Sequence, residues 1–338
     1  MNKKEKRIVI AIAKDDVARR DVIDALRCRD AVEESLRARN YTVETLRVSK
    51  EDFYGPQNIR DMLEAMKAFC VFNLFEGFGD QPQKEAEFAA QLEKMDIPFT
   101  GNSAYTLEKC LNKSVLKALL EENEISVPKG YLIRNIEDID RVTIEPPFFI
   151  KPASEDASVG IDNDSLVWSS RELLKKAEKK LSEFPSGVLI EEFIPGKEYN
   201  VGMMGNYPYE VLGISVIDYE RYTDFSPFLT YDAKWNIDSV QYHAIVPEVT
   251  EIISKTVKKQ LYDICQRVGG LVRGRGYFRV DIRQRREKLF VLDVNPNPDI
   301  NRDSGLLRQV YHKGYRYEEF ITRLIAMALR HYRKKRIW

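Results

Sequence analysis

The run Ile8-Val-Ile-Ala-Ile-Ala13 is apolar at every position, the pattern of a parallel strand buried on both faces. After it, polar and apolar positions switch repeatedly between helical and strand periods. The pattern predicts a helix over Val17–Ala38, a strand over Asn40–Val48, a helix over Asn58–Met66 and a strand over Ala68–Phe75. A helix over Gln83–Met95 and a short strand, Pro98–Thr100, closed by Gly101, complete the series. Such strict β–α alternation predicts an open, doubly wound parallel sheet. From Ser103 the texture changes. A helix is predicted over Lys109–Glu122, strands over Pro128–Ile133, Pro147–Pro152 and Val188–Ile194, and an amphipathic helix over Arg171–Lys180. Beyond Gly196 come strands at Glu198–Met204 and Glu210–Val216, a polar and aromatic loop at Asp218–Asn236, and helices at Thr250–Val268 and Tyr317–Tyr332. The expected division is therefore an α/β part, 1–102, followed by two α+β parts, 103–196 and 197–338.

Near the C-terminal end, Gly276–Arg283 and Leu289–Asn295 read as two strands joined by the charged turn Gln284–Lys288. Side chains alternate along a strand, so Arg279, Asp281 and Arg283 share one face, and Val291, Asp293 and Asn295 share another. A hairpin centred on Glu287 places Asp281 opposite Asp293 and Arg279 opposite Asn295. Like charges directly opposite one another are destabilising. A divalent ion held by oxygen ligands, such as Mg²⁺, reverses the sign of that interaction. The plainer alternative is a solvated charged hairpin, against which Val280, Ile282, Leu292 and Val294 speak, being too apolar for a free ribbon.

Composition narrows the possibilities without choosing among them. The 338 residues suffice for two or three cores, and 43% hydrophobic with 31% charged residues fits a globular chain. Lys and Arg total 53, as do Asp and Glu, so no net field draws the chain to nucleic acid or to an anionic membrane. The basic run Arg330–Arg336 reads as a solvated helix end. Ile8–Ala13 is too short for a signal-peptide core or a membrane span. Cys28, Cys70, Cys110 and Cys265 show no metal-ligand spacing. A cytoplasmic location is expected.

Two further segments suggest chemistry. Lys151-Pro-Ala-Ser-Glu-Asp-Ala-Ser-Val-Gly160 is a lysine at a strand end followed by a small-residue loop, suited to holding polyphosphate through backbone N–H groups; alternatively it is a mobile surface loop. Val188–Glu198 is a buried strand ending in two acids and a Pro-Gly turn. Its end can read an adenine edge while a later carboxylate accepts from ribose hydroxyls; alternatively, Glu191 and Glu192 cap an edge strand.

Together with Ile97–Asn102, Leu111–Lys117, Tyr231–Lys234 and Gly276–Ser304, these segments resemble, in order, the ATP-grasp ligases, and are most similar to the D-alanine–D-alanine ligase family. The resemblance runs from about Asn73 to Met327. It implies a three-domain ATP-grasp architecture and ATP-dependent joining of a carboxylate to an amine. It also implies Mg²⁺ (with Mn²⁺ as the substitute), small amino acid or carboxylate substrates, and a homodimer. At matching positions it implies that Lys113 and Lys151 hold ATP phosphates under a loop containing Ser158. Glu191, with the backbone through Ile194, would clasp adenine, and Glu198 the ribose. Lys234 would reach the transferred phosphoryl group, and Asp281, Asp293 and Asn295 would ligate Mg²⁺. Arg279 would face the acyl oxyanion and Ser304 the carboxylate of the acceptor.

Three segments depart from the family pattern, all in the acyl-substrate half. The first strand runs into Lys14-Asp-Asp-Val-Ala-Arg-Arg20 instead of a Gly-Gly loop, leaving Asp15, Asp16 or neither to hold an ammonium. Asn73–Asp80 replaces a glycine-rich His-Gly segment, with Glu76 or Glu85 as candidate contacts. Asp299, in Asn297-Pro-Asp-Ile300, stands where the family has glycine. The donor is therefore expected to differ from D-alanine. Competing readings are a Mg-ATP-dependent kinase and a non-catalytic nucleotide-binding protein.

Overall fold

The computed structural model describes residues 6–15, 20–55, 58–79, 81–155 and 158–335. Asp16, the predicted start of the first helix at Val17, and two residues of the Lys151–Gly160 loop lie outside them. β1 (Arg7–Ala13) is followed by α1 (Arg20–Ala38), β2 (Thr42–Val48), α2 (Lys50–Tyr54), α3 (Asn58–Ala65), β3 (Cys70–Asn73) and α4 (Lys84–Lys94). The strands form a parallel sheet ordered β2-β1-β3. Alternation along β1 decides which helices cover it. Ile8, Ile10 and Ile12 pack on Cys28, Val32 and Leu36 of α1, whereas Val9 and Ala11 face Leu63 of α3 and Phe88 of α4. Helices thus lie on both faces, as a doubly wound sheet requires. The short helix α2 was not expected, although Ser49 and Asp52 form the reciprocal cap that starts it. The predicted strand Pro98–Thr100 is reduced to one bridge between Phe99 and Val71. Pro98 has no N–H to donate, and Gly101, at φ +85, turns the chain away immediately.

The predicted single helix Lys109–Glu122 is two: α5 (Ala104–Leu111) and α6 (Lys113–Glu122). Asn112 breaks it, taking an extended ψ of 92° and accepting from the Val115 N–H as the cap of α6. Next come β4 (Gly130–Ile133), β5 (Phe148–Pro152), β6 (Leu166–Val167), α7 (Ser170–Glu183) and β7 (Val188–Glu192). These strands form an antiparallel sheet ordered β4-β7-β5-β6, covered by Leu173 and Ala177 of α7.

The last part contains β8 (Glu198–Gly205), β9 (Glu210–Ile217), α8 (Tyr231–Trp235), α9 (Val240–Ala244), β10 (Glu248–Val249) and α10 (Lys255–Leu271). It ends with β11 (Gly276–Arg285), β12 (Lys288–Pro296), α11 (Gly305–His312) and α12 (Tyr317–Lys335). Its sheet is antiparallel, ordered β10-β9-β8-β11-β12. One face buries Val201, Val280, Ile282 and Val294 against Leu261, Cys265 and Val268 of α10 and Leu116 and Leu120 of α6. Each such side chain contributes about 1.5–3 kcal/mol. Phe320, Ile321, Leu324 and Ile325 of α12 return to the first sheet, joining the α1 core. Among the described residues no helix is long and apolar enough to cross a membrane.

Candidate active site

The expected hairpin exists, and its register answers the charge question. Asp281 pairs with Asp293 and Arg279 with Asn295. At the turn the register differs by one residue. Arg285 faces Lys288, and Arg286, at φ +57, occupies a tighter turn than one centred on Glu287. A bulge opposite the Asp281/Ile282 step absorbs the difference. That extra residue resets the alternation, so Val291 does not share a face with Asp293 and Asn295 as expected. Val291 joins the apolar core with Ile282 and Val294, while Leu292 lines the cleft.

Cations resolve the facing acids. Arg279 donates to both Asp281 oxygens, at 2.7 and 2.9 Å, and Asn200 and Asn295 add bonds of 2.9 and 2.8 Å. Burial pushes the Asp281 carboxyl up, but Arg279, Lys234 and Asn200 together outweigh it and hold the group below the usual carboxylate range. Lys113 lies 3.2 Å from Asp293. Asn200 is itself held by Gln309, which donates from α11 to the Asn200 carbonyl at 2.9 Å and to Ser215 at 2.8 Å. Gly202 and Gly213 leave the room this requires; a Cβ on Gly202 would sit 2.1 Å from the Gln309 Oε1.

A single cleft between the two antiparallel sheets gathers Lys113, Lys151, Ser158, Glu191, Ile194, Glu198, Lys234, Asp281, Asp293 and Asn295. One end is cationic and oxygen-rich. At the other, Phe149, Phe193 and Phe228 cluster with Ile161 and Leu166. The polar–aromatic loop closes over this end, where Phe228 meets Phe149 edge-on at 5.0 Å and the Tyr231 N–H donates to the Ile161 carbonyl at 2.9 Å. Its aromatics divide between two roles. Phe228 and Tyr219 are buried, whereas Tyr231 is exposed.

Glu191 is not presented openly. It is 2% exposed, with Lys117 at 2.7 Å and Lys151 at 3.3 Å, and so fixes the ammonium that faces the cleft. Lys117 was not foreseen, although it lies one helical turn after Lys113, a spacing that puts both on one face of α6. Burial pulls its ammonium below the usual lysine range. Lys234, in the last turn of α8, is likewise lowered by burial and by the nearby Arg279.

The family profile described as D-ala D-ala ligase C-terminus matches residues 120–326. The chain belongs to the D-alanine–D-alanine ligase family. It is an ATP-grasp enzyme, an ATP-dependent ligase that forms carbon–nitrogen bonds. Similar relatives include the D-alanine–D-alanine ligase of Haemophilus ducreyi, 30% identical over 77% of this chain and 80% of that one. Another is that of Chromohalobacter salexigens, 24% identical over 78% and 79%. The fold matches the crystal structure of the Bacillus anthracis D-alanine–D-alanine ligase complexed with ATP, with a TM-score of 0.75 and 17% identity over 98% of this chain and 99% of that one.

The family's segments have visible tasks in the fold. Asn102, ending Ile97–Asn102, donates to the Tyr277 carbonyl at 2.8 Å and accepts from the Arg275 N–H at 2.8 Å, tying the first sheet to β11. Asn297 accepts from the Asn102 N–H at 2.8 Å and donates to Glu85 at 2.9 Å, so Glu85 braces the chain beyond β12. Ser304 is not among the residues that line this cleft, and its hydroxyl caps α11 by accepting from the Leu307 N–H. Asp15 accepts from the Gly79 N–H at 2.8 Å, joining the loops after β1 and β3. Asp299 and Asp24 are bridged by Asn301, which donates to them at 3.0 and 2.8 Å.

That bridge brings two acids together. Burial, reinforced by Asp299, raises the Asp24 carboxyl to about 6, and burial also raises Asp299. An acid whose folded pKa is raised is destabilising once ionised, so stability should fall as pH rises from about 4 to 6. Asp24→Asn is expected to remove this component, so its Tm should gain on that of the wild type between pH 4 and pH 7. Parallel Tm–pH curves for the two proteins would show that Asp24 titrates normally.

Proposed function

We propose that the chain joins an amino acid or small acid donor, other than D-alanine, to an amine acceptor through an acylphosphate, using Mg²⁺-ATP in the cleft. The observation that carries the nucleotide half is the convergence of Lys113, Lys151 and Lys234 with Asp281, Asp293 and Asn295 at one end of a cleft whose other end is aromatic. Among the described residues no three His, Cys, Asp or Glu side chains converge, so the donor set is two carboxylates and an amide oxygen. These hard oxygen ligands, facing the cleft together, fit Mg²⁺. Asp281, Asp293 and Asn295 would hold it, and when bound it neutralises phosphate charge. In this reading the part before 102 and the last part meet around the acyl substrate, while 103–196 closes over the nucleotide.

The donor carboxylate attacks the γ-phosphorus of ATP, the bond to ADP breaks, and an acylphosphate forms. Lys151, fixed by Glu191, and Lys234 supply positioning and positive charge for this transfer. The amine then attacks the acyl carbon and phosphate leaves. Arg279 binds Asp281 through Nε and Nη2, which leaves Nη1 as the donor for the tetrahedral oxyanion. The packing of Phe228 on Phe149 holds the loop closed over the aromatic end of the cleft, where the adenine would lie.

The departures support a donor other than D-alanine. Asp299 stands where the family has glycine and is tied through Asn301 to Asp24, which adds carboxylate bulk and charge to the acyl half and so changes the shape offered to the donor. The test incubates the protein with Mg²⁺-ATP and pairs of amino acids and follows ADP and phosphate. Pair-dependent release of both, slow with D-alanine alone, is the expected result. Full-rate release with D-alanine alone would overturn the donor assignment. A phosphorylated product without free phosphate would make it a kinase, and ATP binding without turnover with any pair would leave a nucleotide-binding protein.

A further inference from the structure

We propose that Arg283, a residue with no role assigned above, is a positioning residue that fixes the ribose end of the nucleotide site. The proposal rests on the reading of Glu198 as the ribose acceptor. Arg283 stands on β11 two residues beyond Asp281, is 3% exposed and lines the cleft. Its guanidinium reaches three separate segments. Nε and Nη2 both donate to Glu198 Oε2 at 3.1 Å. Nη1 donates to the Ile194 carbonyl at 2.9 Å, and Nη2 to the Pro227 carbonyl at 2.5 Å. One planar group thereby joins the end of the β7 segment, the start of β8 and the loop that closes the cleft. Its faces are covered as well, by Phe193 at 5.2 Å and Tyr219 at 4.6 Å. The Tyr219 hydroxyl donates to the same Glu198 Oε2, at 3.1 Å.

All three strong bonds thus fall on one oxygen of Glu198. Among the described residues the other, Oε1, receives only a 3.4 Å bond from Asn200. Pinning Oε2 holds the carboxylate plane still and leaves Oε1 as the acceptor for a vicinal diol. Lysine could keep the charge, but it lacks the fork that spans three acceptors at once. Arg283 does not touch the reacting atoms, and its effect passes through Glu198.

The test measures dissociation constants of ATP, 2′-deoxy-ATP and 3′-deoxy-ATP with Mg²⁺ by calorimetry, using the full chain and no acyl substrate. Wild type is expected to prefer ATP by about tenfold, the worth of a hydrogen bond to a charged acceptor. Glu198→Ala and Arg283→Met should each bring that preference to within about twofold. A wild type without preference, or a Glu198→Ala protein that keeps it, removes the ribose reading and this proposal with it. Loss in Glu198→Ala but retention in Arg283→Met overturns the role of Arg283 alone, as does equal weakening of all three nucleotides. Should Arg283→Met fail to fold by circular dichroism, Arg283→Lys carries the same comparison.

Discussion

Replacing Lys151 with alanine is expected to slow ATP turnover by about 10²–10³-fold, the usual consequence of removing one well-placed donor from a developing charge. The protein should stay folded, for a reason visible in the packing. Lys151 is buried and paired with Glu191, so its removal could strand a buried carboxylate. Lys117, at 2.7 Å from the other Glu191 oxygen, remains to compensate it. A Tm within a few degrees of wild type, together with the rate loss, is the expected outcome. Wild-type turnover in the variant would remove the lysine from the mechanism. Collapse of the fold would instead mark Lys151 as a structural counter-ion.

Asp281→Asn should have the largest effect on stability, about 3 kcal/mol by denaturant unfolding, because breaking a buried ion pair leaves one charge uncompensated. Arg279 would keep at most one of its two bonds, to the amide oxygen, and lose its counter-charge, and its neighbour Lys234 would add repulsion in place of a shared counter-charge. The same substitution takes the negative charge from a proposed Mg²⁺ ligand, so half-maximal turnover should need at least about tenfold more Mg²⁺. These two readouts separate two roles. An unchanged Mg²⁺ requirement with lower stability would confine Asp281 to neutralising Arg279. An unchanged stability would mean that Arg279 finds another acid.

The first sheet was readable because its signal is local. Continuous apolar runs make parallel strands, and the alternation along β1 assigns a helix to each face. Elements were missed where one residue overrides a periodic pattern. Asn112 interrupts an otherwise helical stretch to cap a second helix, and Pro98 with Gly101 reduces a strand to one bridge. The return of α12 to the first sheet was not readable either, because an amphipathic period states that a face is buried but not against what.

In the site, the pairing of Asp281 with Asp293 followed from the hairpin pattern, yet it holds because a bulge compensates for a tighter turn. No periodicity announces that bulge. Strand alternation was enough to nominate the acids and the amide, and the loop after β5 to nominate Lys151, since these depend on residues near one another along the chain; Lys113 and Lys234 came from the resemblance to the family. Only the folded chain decided who neutralises whom. It put Arg279 and Lys113 against the acids, buried Glu191 between Lys117 and Lys151, and made Arg283 the joint of three segments. Those partners stand as many as 180 positions apart, from Lys113 to Asp293. Charges so distant in sequence carry no mutual signal until packing removes the water between them.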